Sequence, residues 1–149
     1  MAISNVKNAL YTDLQTLTTG NGYSTTIKTF SKVIKLPNDP GVDVTKCPLL
    51  CYELVECPNK PFTESLMGFD LRYWIVVHVA LSSADLDETG DVIDALTNIY
   101  EDLVALFNLQ TTTTYKLDEV ENTIIENLYP VVMSETRGWA IIPLLIKYK

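Results

Sequence analysis

The chain has 149 residues, close to half of them apolar, with only 6 Gly and 7 Pro. That is enough for one domain with a real core, and the composition is that of a folded protein, not a disordered one. A formal charge of -8 and a pI near 4.5 leave no surplus of Lys and Arg for wrapping DNA or docking on an anionic membrane.

Ile3, Val6, Leu10, Leu14 and Leu17 recur at steps of three and four. They form one stripe of a predicted helix from about Ile3 to Leu17, with Ser4 as its cap and Gly20-Asn21-Gly22 as its stop. From Thr25 to Leu36, Ile27, Thr29, Ser31 and Val33 alternate with polar neighbours, as in a modest edge strand. Pro37-Asn38-Asp39-Pro40-Gly41 is a turn-forming loop. Pro48 to Cys57 predicts a strand with Leu50, Tyr52 and Leu54 on one face, broken by Pro58-Asn59-Lys60-Pro61. Leu66 to Leu81 follows, with a bend at Gly68, and the two runs are expected to be antiparallel neighbours.

The stretch LRYWIVVHVAL is the most informative in the chain. Leu71, Tyr73, Ile75, Val77, Val79 and Leu81 project to one side of a strand, and Arg72, Trp74, Val76, His78 and Ala80 to the other. Both sides are apolar enough to need cover.

Asp85 to Glu88 is acidic, and Asp85 with Glu88 three residues later fits a capping box, with Thr89 as the competing cap. Leu86, Ile93, Leu96, Tyr100, Leu103 and Phe107 then make one helical stripe, with Asp94, Asn98, Glu101 and Asp102 largely off it. Gln110 to Tyr115 is a loop or a weak strand. Glu121 to Met133 and Gly138 to Tyr148 predict two closing strands, linked near Ser134-Glu135-Thr136-Arg137. Pro143 cannot donate to a ladder, so it is expected at an edge or a bulge.

These elements predict a single α+β domain over residues 1–149, with no internal repeat and no linker. Its sheet is expected to be antiparallel or mixed, with four to five strands and two helices packed on one face. Strands lie ~4.8 Å apart and a helix is ~10 Å across, so two helices cover such a sheet once. The other face is left to water or to a partner, and Trp74, Val76 and the apolar C-terminal residues make water a poor answer. A homo-oligomer is the expectation.

Gly138 to Ile146, the longest uncharged apolar stretch, falls far short of the roughly 20 residues that span a bilayer. The opening MAISNVKNALYTDL has no continuous apolar core and no small-residue cleavage site, so it does not read as a signal peptide. No membrane association is expected, and synthesis in the cytoplasm is.

Chemical motifs are sparse. At a rise of ~3.3 Å per residue, Cys47 and Cys51 on one strand would stand about 13 Å apart. A disulfide tolerates no more than about 7 Å between Cα atoms. This spacing and the odd count, with Cys57 as third, favour free thiols. No His lies near them and no Cys-x-x-Cys pair exists, so no metal is assigned. His78, the sole histidine, has no nucleophile or carboxylate partner that the sequence identifies, and reads as a packed or interfacial residue. Gly20-Asn21-Gly22 lacks the further Gly and Lys of a phosphate-binding loop. Asp85, Asp87, Glu88, Asp91 and Asp94 lack the calcium-loop alternation and read as solvated helix-start carboxylates. Trp74, Trp139, Tyr73 and Tyr115 have too few interleaved cations for a nucleic-acid groove. No catalytic residue and no cofactor is predicted. Arg72 and Arg137 lie close to aromatics, a pairing common at protein interfaces.

The segment YWIVVHVALSSADLDETGDVIDALTNIYEDLVALF resembles the strand, acidic loop and helix of phage tail terminator proteins of the minor tail protein U type. The ending IIENLYPVVMSETRGWAIIPLLIKYK is similar to that family's closing strand pair, and the N-terminal helix leading into a Gly-rich turn fits as well. The likeness covers most of the chain and is a pattern of elements, not an invariant motif. It implies a structural virion protein with no catalytic role: a hexameric ring that caps the finished tail tube, stops its polymerisation and meets the head-tail connector or stopper protein. It further implies that DNA passes through the lumen without specific binding, that the helices flank one side of the sheet, and that exposed sheet and loops make the ring contacts. The chain would then sit in the tail or neck of a virion assembled in the host cytoplasm. Arg72, Trp74, Val76 and Trp139 are the expected subunit or ring-to-ring contacts. Pro37, Asn38, Asp39 and Pro40, in a Leu36–Thr45 loop longer than the family pattern, are the expected contacts to a neighbouring ring. The rival expectations are another neck or head-completion protein, and a small-molecule-binding α+β module using His78 and Cys51 in a pocket.

Overall fold

Residues 3–57, 69–118 and 120–148 are described in a computed structural model of the chain. The order is α1 (Ile3–Leu14), β1 (Thr29–Ser31), β2 (Leu49–Glu56), β3 (Phe69–Ala80), α2 (Ser83–Thr89), α3 (Val92–Asn108), β4 (Val120–Ile125), β5 (Tyr129–Val132) and β6 (Arg137–Tyr148). The fold is α+β. Its sheet runs β1-β2-β3-β6, and the far side of β6 is shared by β4 and β5. β1 is parallel to β2, and the other pairings are antiparallel.

Side-chain alternation sorts the sheet into two faces. Leu50, Tyr52, Leu71, Tyr73, Ile75, Val77, Val79, Ala140, Ile142, Leu144 and Ile146 point to the front, where they form one buried cluster with Val6, Leu10 and Leu14 of α1 and Val92, Leu96, Ile99, Leu103 and Phe107 of α3. The helices therefore pack on one face, as the cover argument requires. The Tyr52 hydroxyl donates to the Lys7 carbonyl at 2.9 Å, tying α1 to β2.

Helix boundaries depart from the periodicity. Helix α1 ends at Leu14, three residues short of Leu17, and Ser4 lies inside its first turn instead of capping it. Leu17 stays buried just past the helix. Gly22, at φ 90°, closes a separate 3-10 turn over Thr19–Asn21, using the left-handed conformation that glycine tolerates best. Two helices stand where one was predicted, each with its own capping box: Ser82 with Asp85 for α2 and Asp91 with Asp94 for α3. Asp85 is thus the third residue of a box and not its cap, and Thr89 ends α2 instead of starting α3. Leu96, Leu103 and Phe107 of the predicted stripe are buried, and the departures lie beside them. Val92 and Ile99 are also buried and Ile93 is exposed.

Asp102 is also buried, against expectation. Its carboxylate accepts from the Ser24 amide at 3.0 Å, the Ser24 hydroxyl at 2.8 Å and the Thr25 amide at 3.1 Å. Asp13 on α1 does the same for the loop after α3, accepting from the Thr113 amide at 2.7 Å, the Thr114 amide at 2.8 Å and the Thr114 hydroxyl at 2.6 Å. Residues 110–115 are accordingly a loop.

The strand predicted over Thr25–Leu36 shrinks to the three residues of β1, at the sheet edge as expected. The predicted Glu121–Met133 strand is divided into β4 and β5. Between them the register gains one residue, because Ile125 faces Leu144 while Tyr129 faces Ile141. Pro143 lies opposite this bulge, and its carbonyl accepts from the Glu126 amide at 2.9 Å. A strand residue turns its N and O to the same side, so the missing N–H of Pro143 also faces the interruption and the ladder to β3 loses nothing. Cys51 lies within β2, Cys47 precedes it and Cys57 follows it, and all three are free. The predicted Pro58–Pro61 break and the bend at Gly68 lie outside the described residues.

Asp13→Ala should leave three donors without their acceptor. Loss of charge-assisted, buried hydrogen bonds of this kind is expected to lower stability by roughly 3 kcal/mol in urea unfolding, with little change in m-value.

Candidate interaction surface

The back face of the sheet can be mapped row by row from the strand register. One row runs Leu49, His78, Trp139, Val131, and the next runs Cys51, Val76, Ile141, Tyr129. A third has Glu53, Trp74 and Pro143, and a fourth Glu56, Arg72, Leu145 and Ile124.

The chain roofs part of this surface itself, which corrects the expectation that the whole second face is left to a partner. After β1 the segment 32–47 crosses over β2 and β3. Ile34 packs on Leu49, Cys51 and Val76, with Trp139 and Ile141 beside them. The roof is pinned through the backbone of Lys35. Its amide donates to Cys51 Sγ at 3.3 Å, and its carbonyl lies 2.7 Å from His78 Nε2. The His78 ring lies nearly parallel to Trp139, with centroids 6.1 Å apart. Burial holds the imidazole below its ordinary 6.5. Nearby Arg137 acts in the same direction, while the Lys35 carbonyl and Asp39 oppose it. A neutral ring with its proton on Nε2 donates to the carbonyl and holds the roof down.

Val76 is 1% exposed under this roof. It contacts its own chain, so its expected role as a direct subunit contact is corrected to one of core packing. Trp74 stands beyond the roof and is 40% exposed. Around it the surface stays open: Tyr129, Val131 and Ile124 are exposed, and Trp139, Ile141 and Pro143 are half-buried. This is a contiguous apolar strip over β3, β6 and the β4–β5 edge.

Arg72 lies at the lower border of the strip. It pairs with Glu126 through Nη1 and lies 3.8 Å from Glu56. Glu126 also donates its amide to Pro143, and its carbonyl accepts from the Tyr100 hydroxyl, so the bulge is held from three directions. Arg72 is thereby a bulge anchor beside Trp74. Arg137, at the upper border, has a buried Nε with no hydrogen-bond partner among the described residues.

The roof carries the predicted loop contacts. Asp39 accepts from the Leu36 amide at 2.6 Å, which tightens the turn. Pro37 and Asp39 are half-buried, and Asn38 and Pro40 are exposed. Tyr129, Val131 and Ile124 were missed from sequence. Their signal was the alternation of the closing strands, which identifies faces only once the bulge is known.

Cys51 and His78 are buried and engaged with the Lys35 backbone, and burial pushes the Cys51 thiol up, away from the reactive thiolate. Among the described residues no cluster of His, Cys, Asp or Glu could hold a metal ion, and no helix is long and apolar enough to cross a membrane. No protein-family model matches the chain, and comparison with curated protein sequences gives no match.

His78 makes a signed prediction. Its folded pKa lies below the unfolded value, so its contribution is present above pH 6.5 and is lost as the pH falls toward the folded value. Acidification from about pH 7 to pH 5 should lower stability and raise amide exchange in residues 32–47 first. His78→Gln, which retains a donor without titrating, should flatten that dependence. Val76→Asp should unfold the chain, whereas a substitution at exposed Trp74 should not. Circular dichroism separates the two outcomes.

Proposed function

We propose that this chain is a structural virion protein, a tail terminator subunit that forms a homo-oligomeric ring, hexameric by resemblance. The ring caps the tail tube, meets the head-tail connector or stopper protein, and lets DNA pass through its lumen without specific binding. Two lines support this reading. The segments that resemble tail terminators, residues 73–107 and 124–149, supply the central strands, the main helix and the closing strands. The observation that carries it is the open apolar strip around Trp74, which a protein surface rarely leaves bare without a partner. The pocket alternative finds no comparable support, since His78 and Cys51 already hold the roof.

Electron microscopy of the protein mixed with unfinished tails tests the proposal. Wild type should add a ring at the tail end. Trp74→Glu should stay folded and fail to add it, because a carboxylate cannot be buried unpaired in an apolar contact. Normal capping by the Trp74→Glu chain would remove Trp74 from the interface. A ring found on portal connectors and not on tails would move the chain to head completion.

A further inference from the structure

We propose that copies of this chain join head to tail, the basic β1 edge of one against the acidic β4–β5 edge of the next. The inference rests on the ring reading above and says which surfaces close the ring.

Strand order places β1 at one end of the sheet and β4 with β5 at the other. Charge differs between the two halves of the chain, and most exposed charges nearest the two sheet ends differ in sign, with Asp43 beside the first end and Lys116 and Lys147 beside the second as the exceptions. Residues 1–60 carry six Lys or Arg and five Asp or Glu, whereas residues 61–149 carry five and fourteen. Lys28 and Lys32 flank β1, Lys46 ends the turn just before β2, and all three are exposed. At the opposite end Asp118 and Glu121 stand at the start of β4, and Glu135 lies in the β5–β6 turn, again all exposed.

Both ends also expose apolar side chains. Val33 does so just after β1, with Leu36 and Val44 exposed on the roof segment that follows, and Tyr129, Val131, Val132 and Met133 do so along the acidic edge. Each edge therefore offers apolar area with charge at its border, and most of those charges are opposite in sign. This is the complementarity that favours a specific contact between unlike surfaces. A symmetric dimer through either edge would set like charges against each other. Contact between opposite ends of one molecule is heterologous, and such contacts propagate, closing into a ring where the rotation between neighbours closes and running on as an open filament where it does not.

The contact is made by side chains and not by continuing the β-ladder. Tyr129 and Val131 turn their backbone groups toward β6, because they pair with Ile141 and Trp139, which share the orientation of Pro143. Pro130 and Val132 therefore face outward, and Pro130 has no N–H to give. A strand edge blunted in this way resists strand addition while leaving its side chains free to dock.

Sedimentation of the purified chain over a range of salt tests the pairing. Association of wild type should weaken as salt rises, since opposite charges are being screened; strengthening with salt would overturn the proposal. The pair Lys28→Glu with Lys32→Glu should weaken self-association ~10-fold or more, and so should Glu121→Lys with Glu135→Lys. An equimolar mixture of the two variants should recover assembly, because each then finds an unlike edge on the other. A chain carrying all four changes should recover it alone. These substitutions are on exposed side chains, and circular dichroism confirms that each variant folds. If wild type assembles and the charge reversals change nothing, the edge pairing is wrong and the ring reading stands. If wild type is monomeric at the highest attainable concentration and in the presence of tails, both fall together.

Discussion

The pairing of β3 with β6 is the constraint on which the rest of this molecule depends. Each strand is 12 residues long, and they pair from Phe69 opposite Tyr148 to Ala80 opposite Arg137. Both are apolar on both sides, which in a small protein creates two surfaces to cover with one set of helices. The front is covered by α1 and α3, whose stripes meet Tyr52, Tyr73, Ile75 and Ile142 in one core. The back is covered unevenly, and that unevenness defines the surface available to partners.

Segment 32–47 covers the back with little secondary structure of its own. A loop over a sheet carries backbone groups that water can no longer reach, and these must find partners. Cys51 and His78 supply them at Lys35, from adjacent strands facing the same side. A thiol and an imidazole that could have been read as chemistry are thus structural, and they fix where the roof ends. Beyond that limit Trp74 and the β6, β4 and β5 residues remain open, and the open strip runs to the sheet edge where the acidic side chains lie.

Three carboxylates hold the irregular parts in place. Asp13 and Asp102 each gather backbone amides and a hydroxyl from a distant loop, and the Glu126 carboxylate holds Arg72 while its backbone amide donates to the Pro143 carbonyl at the bulge. Charged acceptors are well suited to this, because hydrogen bonds to an ionised group are stronger than neutral ones. The bulge shifts the register of the outer strand by one residue opposite Pro143, so which β4 and β5 side chains reach the open strip is set there.

Alternation alone was enough to place β3, β6, the β2–β3 pairing and the existence of α1 and α3, because long periodic runs depend mainly on which face must be buried. The same patterning showed that β3 is apolar on both sides, and hence that a second cover was needed. It could not say who provides that cover. Whether segment 32–47 folds back on its own sheet depends on Lys35 meeting Cys51 and His78, residues 16 and 43 positions away in the chain. The start of α3 also escaped, since Gly90 separates two helices whose caps compete locally with similar carboxylates, although Leu96, Leu103 and Phe107 of the predicted stripe are buried. Asp102 looked like a solvent residue until Ser24 and Thr25 were brought against it. The burial of Val76 and the exposure of Trp74, two positions apart on one face, were decided by the tertiary fold alone, because periodicity distinguishes faces but not the parts of a face that a distant loop happens to cover.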